Sequence, residues 1–221
     1  MRFTRLAAAF ALAACVLAAQ VATNANKGYQ TPEQRANVAK GLGSANRDAQ
    51  QHPHDIIAAM NLKPGDSVAD VGTGIGYMLP YLSDAVGPSG KVFAEDIYSD
   101  FLDKARARAK EHNLTNVEFI LGTQTDPKLP AHSLDAVLVL EVYHHFNYPG
   151  QMLAGISNAL KPGGRLFLVD FHKSFGSNHI RLDKPGVIEE VDSNGFSLVS
   201  ESERSSDNQY MAVFTPQHSN P

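Results

Sequence analysis

The sequence predicts an α/β fold in which helices cover both faces of a parallel sheet. Short apolar runs alternate with helical patterns along most of the chain, the order expected of repeated strand–helix units. The runs are apolar almost throughout, as in LDAVLVL of residues 134–140, which suits strands buried from both sides. One run ends in Asp70 and passes directly into Gly72-Thr73-Gly74-Ile75-Gly76, a glycine-rich link where a strand hands over to a helix.

A polar segment, residues 26–51, precedes these units. It contains TPEQRANVAKGL, where threonine as cap, proline in the first turn and an acid behind it start a helix. This segment is expected to form a helical cover, and residues 52–217 a single domain. Within that domain His54–Met60 reads as a short helix and Ser67–Val71 as the first strand. Helix Tyr77–Val86, strand Lys91–Ile97 and helix Ser99–His112 follow. Strands are expected at Val117–Leu121 and Leu134–Leu140, a helix at Pro149–Leu160 and a strand at Arg165–Val169. Helix Lys184–Ser193 and strands Phe196–Ser200 and Gln209–Thr215 complete the pattern, the last two joined by a polar Ser-Asp turn.

Composition narrows the function. The formal charge of −4 and scattered Lys and Arg give no basic stripe, so no nucleic-acid partner is expected. The cluster Lys104–Lys110 reads as the solvated face of a helix. Cys15 is the sole cysteine, which excludes a disulfide framework, a thiolate metal site and a cysteine nucleophile in the folded body.

The first 25 residues have the layout of a secretory signal peptide: Arg2 and Arg5, an Ala/Leu-rich run, then small residues. The run from Leu6 to Ala19 is short for a membrane span. Cleavage after Ala18, Ala19 or Ala25 would each leave a small residue at the cut. Removal of residues 1–25 shifts the charge from −4 to −6. The expectation is an exported, periplasmic domain. Leu12-Ala13-Ala14-Cys15 also resembles a lipobox, and membrane attachment is expected only if Cys15 is lipidated.

The glycine link has the spacing D-x-G-x-G-x-G. Gly72 suits a tight turn, and Gly74 lets a ligand approach the backbone without meeting a β-carbon. A dinucleotide fingerprint needs its third glycine at position 77, where Tyr77 stands. An acid, Asp96, follows at the end of the second strand. It can accept from both hydroxyls of a ribose or cap the next helix. Its neighbour Glu95 points the other way along the strand.

Together these segments resemble class I S-adenosylmethionine-dependent methyltransferases. The resemblance runs from about Pro53 to Thr215. It is carried by VADVGTGIGY, KVFAEDI, GTQTDPKLPAHSLDAVLVLEVYHHF and LKPGGRLFLVDF, where Gly163 and Gly164 reverse the chain into a strand. It implies a doubly wound, Rossmann-like sheet of seven strands, six parallel and the last antiparallel, with S-adenosylmethionine as cofactor. Asp70 would meet the methionine ammonium, and Gly72, Gly74 and Gly76 would line the methionine and ribose side. Asp96 would hold the ribose and Ile97 flank the adenine, with Asp126 or Thr125 at its amino group. Tyr77 would contact the cofactor carboxylate or pack, and Glu141 would face the place where sulfonium and acceptor meet.

Methyl transfer is an in-line displacement, so the protein chiefly aligns the reactants, with a base needed only where the acceptor loses a proton. Glu141, His144 and His145 are the catalytic candidates, and His172 a further one. No metal site is expected, because adjacent histidines on a helix or strand diverge. The acceptor is expected to be a small molecule. The second functional reading is an exported adenosyl-ligand-binding protein without turnover.

Overall fold

The computed structural model describes residues 20–174, 176–204 and 208–217. Cys15, the greater part of the expected signal segment and the expected Ser-Asp turn at 205–207 lie outside the described residues.

Seven strands form one sheet: β1 (Ser67–Val71), β2 (Lys91–Asp96), β3 (Val117–Leu121), β4 (Leu134–Leu140), β5 (Leu160–Phe171), β6 (Phe196–Glu203) and β7 (Gln209–Pro216). Their order is β3-β2-β1-β4-β5-β7-β6. Pairing is parallel from β3 through β5, and β7 runs antiparallel to both β5 and β6. The expected topology, six strands one way and the last reversed, is the one observed.

Alternation along each strand divides the core in two. Val137 and Val139 of β4 point to the face covered by α6 (Pro149–Ala159) and α7 (Lys184–Ser193). Ala136, Leu138 and Leu140 point to the other face, where α3 (Pro53–Met60), α4 (Leu79–Val86) and α5 (Ser99–Glu111) pack. A strand buried on both sides cannot alternate polar and apolar, which is why β4 reads as a continuous apolar run.

Several boundaries differ from expectation. Helix α4 starts at Leu79 instead of Tyr77, because Gly72, Gly74 and Gly76 all have positive φ and delay regular winding. Strand β5 begins at Leu160, absorbing the Lys-Pro-Gly-Gly segment that was expected to precede it. The N-terminal cover comprises α1 (Pro32–Leu42) and a second short helix, α2 (Arg47–Gln51), which sequence reading left unassigned. Thr31 and Gln34 close a capping box at the start of α1.

The chain leaves β1 toward β2 on one side, and β4 sits on the other. A crevice therefore opens at the carboxyl ends of β1 and β4, the switch point where doubly wound sheets bind ligands.

Candidate active site

A cleft of about 1010 Å³, counted to its open mouth, occupies this switch point. Its floor is the glycine link. Gly72 has φ +71, and a β-carbon there would lie 2.5 Å from Val142 Cγ1. That position therefore requires glycine twice over, for its dihedral and for its space. Gly76 serves packing instead: a β-carbon would meet Leu79 Cδ1 at 2.8 Å and Ala105 at 3.1 Å, and the residue does not line the cleft.

The hydrogen bonds of this link decide which ligand it suits. Gly72 N–H donates to Glu95 Oε2 at 3.3 Å and Gly74 N–H to Asp96 Oδ2 at 2.9 Å. Thr73 N–H donates to the Glu95 carbonyl and Gly76 N–H to the Thr73 carbonyl. A pyrophosphate cradle needs such N–H groups aimed at the ligand. Here they are spent on the protein itself.

Three buried carboxylates surround the same link. Asp70 is 3% exposed, Glu95 1% and Asp96 5%. Burial pushes Asp70 up to about 6, against a hydrogen bond from the Thr73 hydroxyl that lowers it. Burial likewise raises Asp96 to about 6, opposed by N–H donors at Tyr98 and Gly74. Glu95 is raised further, by burial and then by neighbouring Asp96, and its Oε1 has no hydrogen-bond partner. Mutually repelling carboxylates out of water favour a cationic ligand and disfavour a phosphate. An ammonium and a sulfonium fit these residues.

The cover closes the cleft from above. Arg47 on α2 lines it, pairs with Glu141 Oε2 at 3.0 Å and stacks over the Tyr77 ring at 4.8 Å, while its buried Nε has no partner. Asp48 accepts from the Tyr77 and Tyr81 hydroxyls at 2.8 and 2.9 Å, which holds the carboxyl below its ordinary range. Tyr29, ahead of α1, also lines the cleft; it stacks on Tyr98 and meets His145 edge-on, and burial raises its hydroxyl to about 12.

At the end of β4, Glu141 adopts φ +55, uncommon for a residue with a side chain. Its Oε1 accepts from Gln51 and Gln209 amides, each at 2.5 Å, and its Oε2 from Arg47. Three donors hold this carboxylate as a tie between cover and sheet. Beyond it, Tyr143–His145 forms a 3-10 turn, neither the helix nor the strand on which the divergence of His144 and His145 rested. The turn brings their rings to a centroid separation of 4.1 Å. His145 lines the cleft, its pKa lowered to about 2 by burial and by His144 and His179. His144 lies behind the wall, bound to Asp170.

Of the expected ligand residues, Asp70, Gly72, Gly74, Tyr77, Asp96, Ile97 and Glu141 reach the cleft wall. Gly76, Thr125, Asp126 and His144 do not. In the loop after β3 the wall is formed by Thr123 and Gln124. Asp126 turns its carboxylate to the Lys128 N–H at 2.7 Å, within its own turn. His172 pairs with Glu203 and packs on Tyr210, away from the cleft. Glu95, expected to point away from Asp96, also lines the cleft through its bond from Gly72 N–H, and sequence reading missed Arg47, Tyr29, Asn26 and Asn147, all wall residues. The polar N-terminal segment was expected only to cover the domain, and nothing in a single sequence sets how a preceding helix folds back.

Comparison with known proteins agrees with this geometry. Residues 69–168 match the family model described as Methyltransferase domain. The chain is 32% identical over 118 residues to the ubiquinone/menaquinone biosynthesis C-methyltransferase UbiE of Hahella chejuensis, a match covering 53% of this chain and 47% of that protein. It is 35% identical over 120 residues to a 37.1 kDa protein of transposon TN4556 from Streptomyces fradiae, covering 54% and 34% respectively. The matches thus span less than half the length of these relatives.

In structure, a SAM dependent methyltransferase from Aquifex aeolicus superposes with a TM-score of 0.75 at 24% identity, covering 80% of this chain and 96% of that one. The [4+2]-cyclase SpnF superposes with a TM-score of 0.67 at 17% identity, covering 79% and 83%. The fold is that of these structures, and residues 69–168 are similar to a methyltransferase domain. Its architecture is the doubly wound, Rossmann-like one: a seven-stranded sheet with β7 reversed.

Proposed function

We propose that this protein binds S-adenosylmethionine across the glycine link and transfers its methyl group to a small molecule that enters the cleft beside His145 and Asn147. The observation that carries the reading is the set of three buried carboxylates around backbone N–H groups already spent on the protein. A nicotinamide dinucleotide would bring two phosphates to that place and meet repulsion.

When bound, the cofactor supplies a methyl group already activated on a positive sulfur. Asp70 takes the ammonium of the methionine part, and Arg47, with its unpartnered Nε, takes the carboxylate. Asp96 accepts from the ribose, while Ile97 and Tyr98 flank the base. Thr123 and Gln124 replace Thr125 and Asp126 as the residues at the adenine edge. Glu141 holds the roof through Arg47 and Gln51, and the apolar walls at Leu140, Val142, Phe146 and Met152 exclude water.

Beside the entrance proposed for the acceptor, neither Glu141 nor His145 is a free general base. Glu141 is engaged by three donors, and His145 is held neutral and weakly basic by burial. The acceptor is therefore a group nucleophilic without help, or one that ionises by itself near neutral pH. The same observation favours the second reading, an adenosyl-ligand-binding protein without turnover.

Calorimetric titration with S-adenosylmethionine, S-adenosylhomocysteine and NAD is the first test. Saturable binding of both sulfur nucleosides, absent for NAD and lost in Asp96→Ala, is expected. A folded chain that binds neither nucleoside refutes the reading. Conversion of bound S-adenosylmethionine to S-adenosylhomocysteine across an acceptor panel separates the enzyme from the binding protein.

We further propose that residues 1–25 direct export, so that the folded domain works in the periplasm. Fractionation of cells carrying the full chain would find it in the periplasmic extract. Retention in the cytoplasm at full length refutes export, and a lipid-modified Cys15 in the membrane fraction selects the anchored form.

A further inference from the structure

Three histidines from two distant parts of the chain converge behind the cleft wall. His144 and His145 come from the turn after β4, and His179 from the segment between β5 and α7. The His179 ring lies 5.0 Å from that of His144 and 5.5 Å from that of His145. One nitrogen from each lies within 4.8 Å of the other two.

The hydrogen bonds fix the tautomers of two of them. His144 Nδ1 lies 2.7 Å from Asp170 Oδ1, and a carboxylate oxygen only accepts, so Nδ1 carries the proton. His145 Nδ1 lies 3.0 Å from Asn26 Oδ1. The orientation of that amide is set independently, because Asn26 Nδ2 donates to the His145 carbonyl at 2.9 Å. The atom facing Nδ1 is therefore an acceptor, and here too Nδ1 carries the proton. Both imidazoles are left with a lone pair on Nε2. Their rings are tilted by 42°, as suits two ligands turned to one point rather than a stacked pair.

We propose that His144, His145 and His179 bind one divalent transition-metal ion, with Asp170 as the outer partner that orients His144. A carboxylate holding the far nitrogen of a ligating histidine is the usual support of such sites. An all-imidazole set suits zinc, copper, iron or nickel over magnesium or calcium. Metal–nitrogen bonds of about 2.0–2.1 Å put ligand nitrogens roughly 3.4 Å apart, so nitrogens now within 4.8 Å of one another close by at most about 1.4 Å on the ion. His179 is the exposed member, on a segment outside the sheet, and is free to make that shift.

Three protein ligands leave a position for water or another ligand, the arrangement of catalytic rather than closed structural sites. Because His145 also lines the cleft, an ion held here sits at its edge. The proposal does not depend on methyl transfer.

The test uses the full, untagged chain, stripped with chelator and titrated calorimetrically with zinc and, separately, with cobalt while its visible spectrum is followed. One equivalent of each metal is expected to bind, cobalt with the bands of a low-coordinate nitrogen site. His179→Asn, an exposed change that spares the fold, is expected to weaken zinc at least tenfold and remove the cobalt bands. Asp170→Asn is expected to weaken zinc by about 10–100-fold. His54→Asn, at an exposed histidine elsewhere, is expected to change neither. A folded chain that takes up no zinc, or a His179→Asn variant that binds as the wild type does, overturns the proposal.

Discussion

Replacing Gly72 with alanine puts two separate demands on the glycine link, and their sizes follow from the geometry. At φ +71 a β-carbon crowds its own backbone, which costs about 1–2 kcal/mol. The same β-carbon would lie 2.5 and 2.6 Å from the two γ-carbons of Val142 and 3.0 Å from its β-carbon. That contact is with the branched root of a side chain, so it cannot be relieved by swinging a flexible tip. Overpacking of this kind costs about 1–3 kcal/mol. The sum is about 2–5 kcal/mol, which for a chain of this size lowers Tm by roughly 4–20 °C.

The two parts can be separated by a double-mutant cycle with Val142→Ala. Shortening Val142 removes the two γ-carbon contacts and leaves the β-carbon at 3.0 Å and the dihedral penalty, so the pair is expected to couple favourably by about 1–3 kcal/mol. Urea unfolding of the four proteins measures this directly. A loss below about 1 kcal/mol in Gly72→Ala would refute the dihedral argument. A coupling indistinguishable from zero would refute the clash.

Other outcomes follow from the charges in the cleft. Asp70 and Asp96 titrate near 6, above their ordinary values, because burial disfavours the ionised form. The folded ligand-free chain thus holds protons that the unfolded chain has released, and these two groups make its stability fall as pH rises from about 4 through 6. Binding of a cationic nucleoside needs the ionised carboxylates and runs the other way, weakening as pH falls through 6. Parallel thermal melts and calorimetric titrations between pH 5 and 8 would show both slopes. Arg47→Ala removes the partner proposed for the cofactor carboxylate and is expected to weaken S-adenosylhomocysteine binding by roughly tenfold or more, as for a charged hydrogen bond worth about 1.5–3 kcal/mol; unchanged affinity would remove Arg47 from the site. Glu141→Gln leaves Arg47 without its carboxylate and faces two glutamine amides, so it is expected to cost about 1–3 kcal/mol in chemical denaturation and to speed proteolysis at α2.

The sheet could be read from the sequence because each strand announces itself locally. A run such as LDAVLVL has no polar face, and the glycine link and the strand-end acids Asp70 and Asp96 stand at fixed offsets from such runs. All of these are properties of one segment at a time. What stayed illegible depends on segments meeting. Asp126 looks like a ligand in the linear sequence, yet the turn after β3 bends its carboxylate onto Lys128 N–H and presents Thr123 and Gln124. Adjacent histidines look divergent until a 3-10 turn replaces the assumed helix or strand. Arg47 is an ordinary charge on a polar helix until that helix folds over Tyr77.

Glu141 joins parts of the chain that are made at very different times. Its partners are Arg47 and Gln51 from before the sheet begins and Gln209 from the start of the last strand. During synthesis, the residues of the glycine link, the acids and the cover have all emerged long before Gln209. The roof above them lacks one of its ties until β7 has been made. Ribosome-stalled chains ending before residue 209 are expected to bind S-adenosylhomocysteine weakly or not at all, with retention rising only once β7 is released. The ligand site would in that way close only when β7 adds to the sheet, whichever side of a membrane that takes place on.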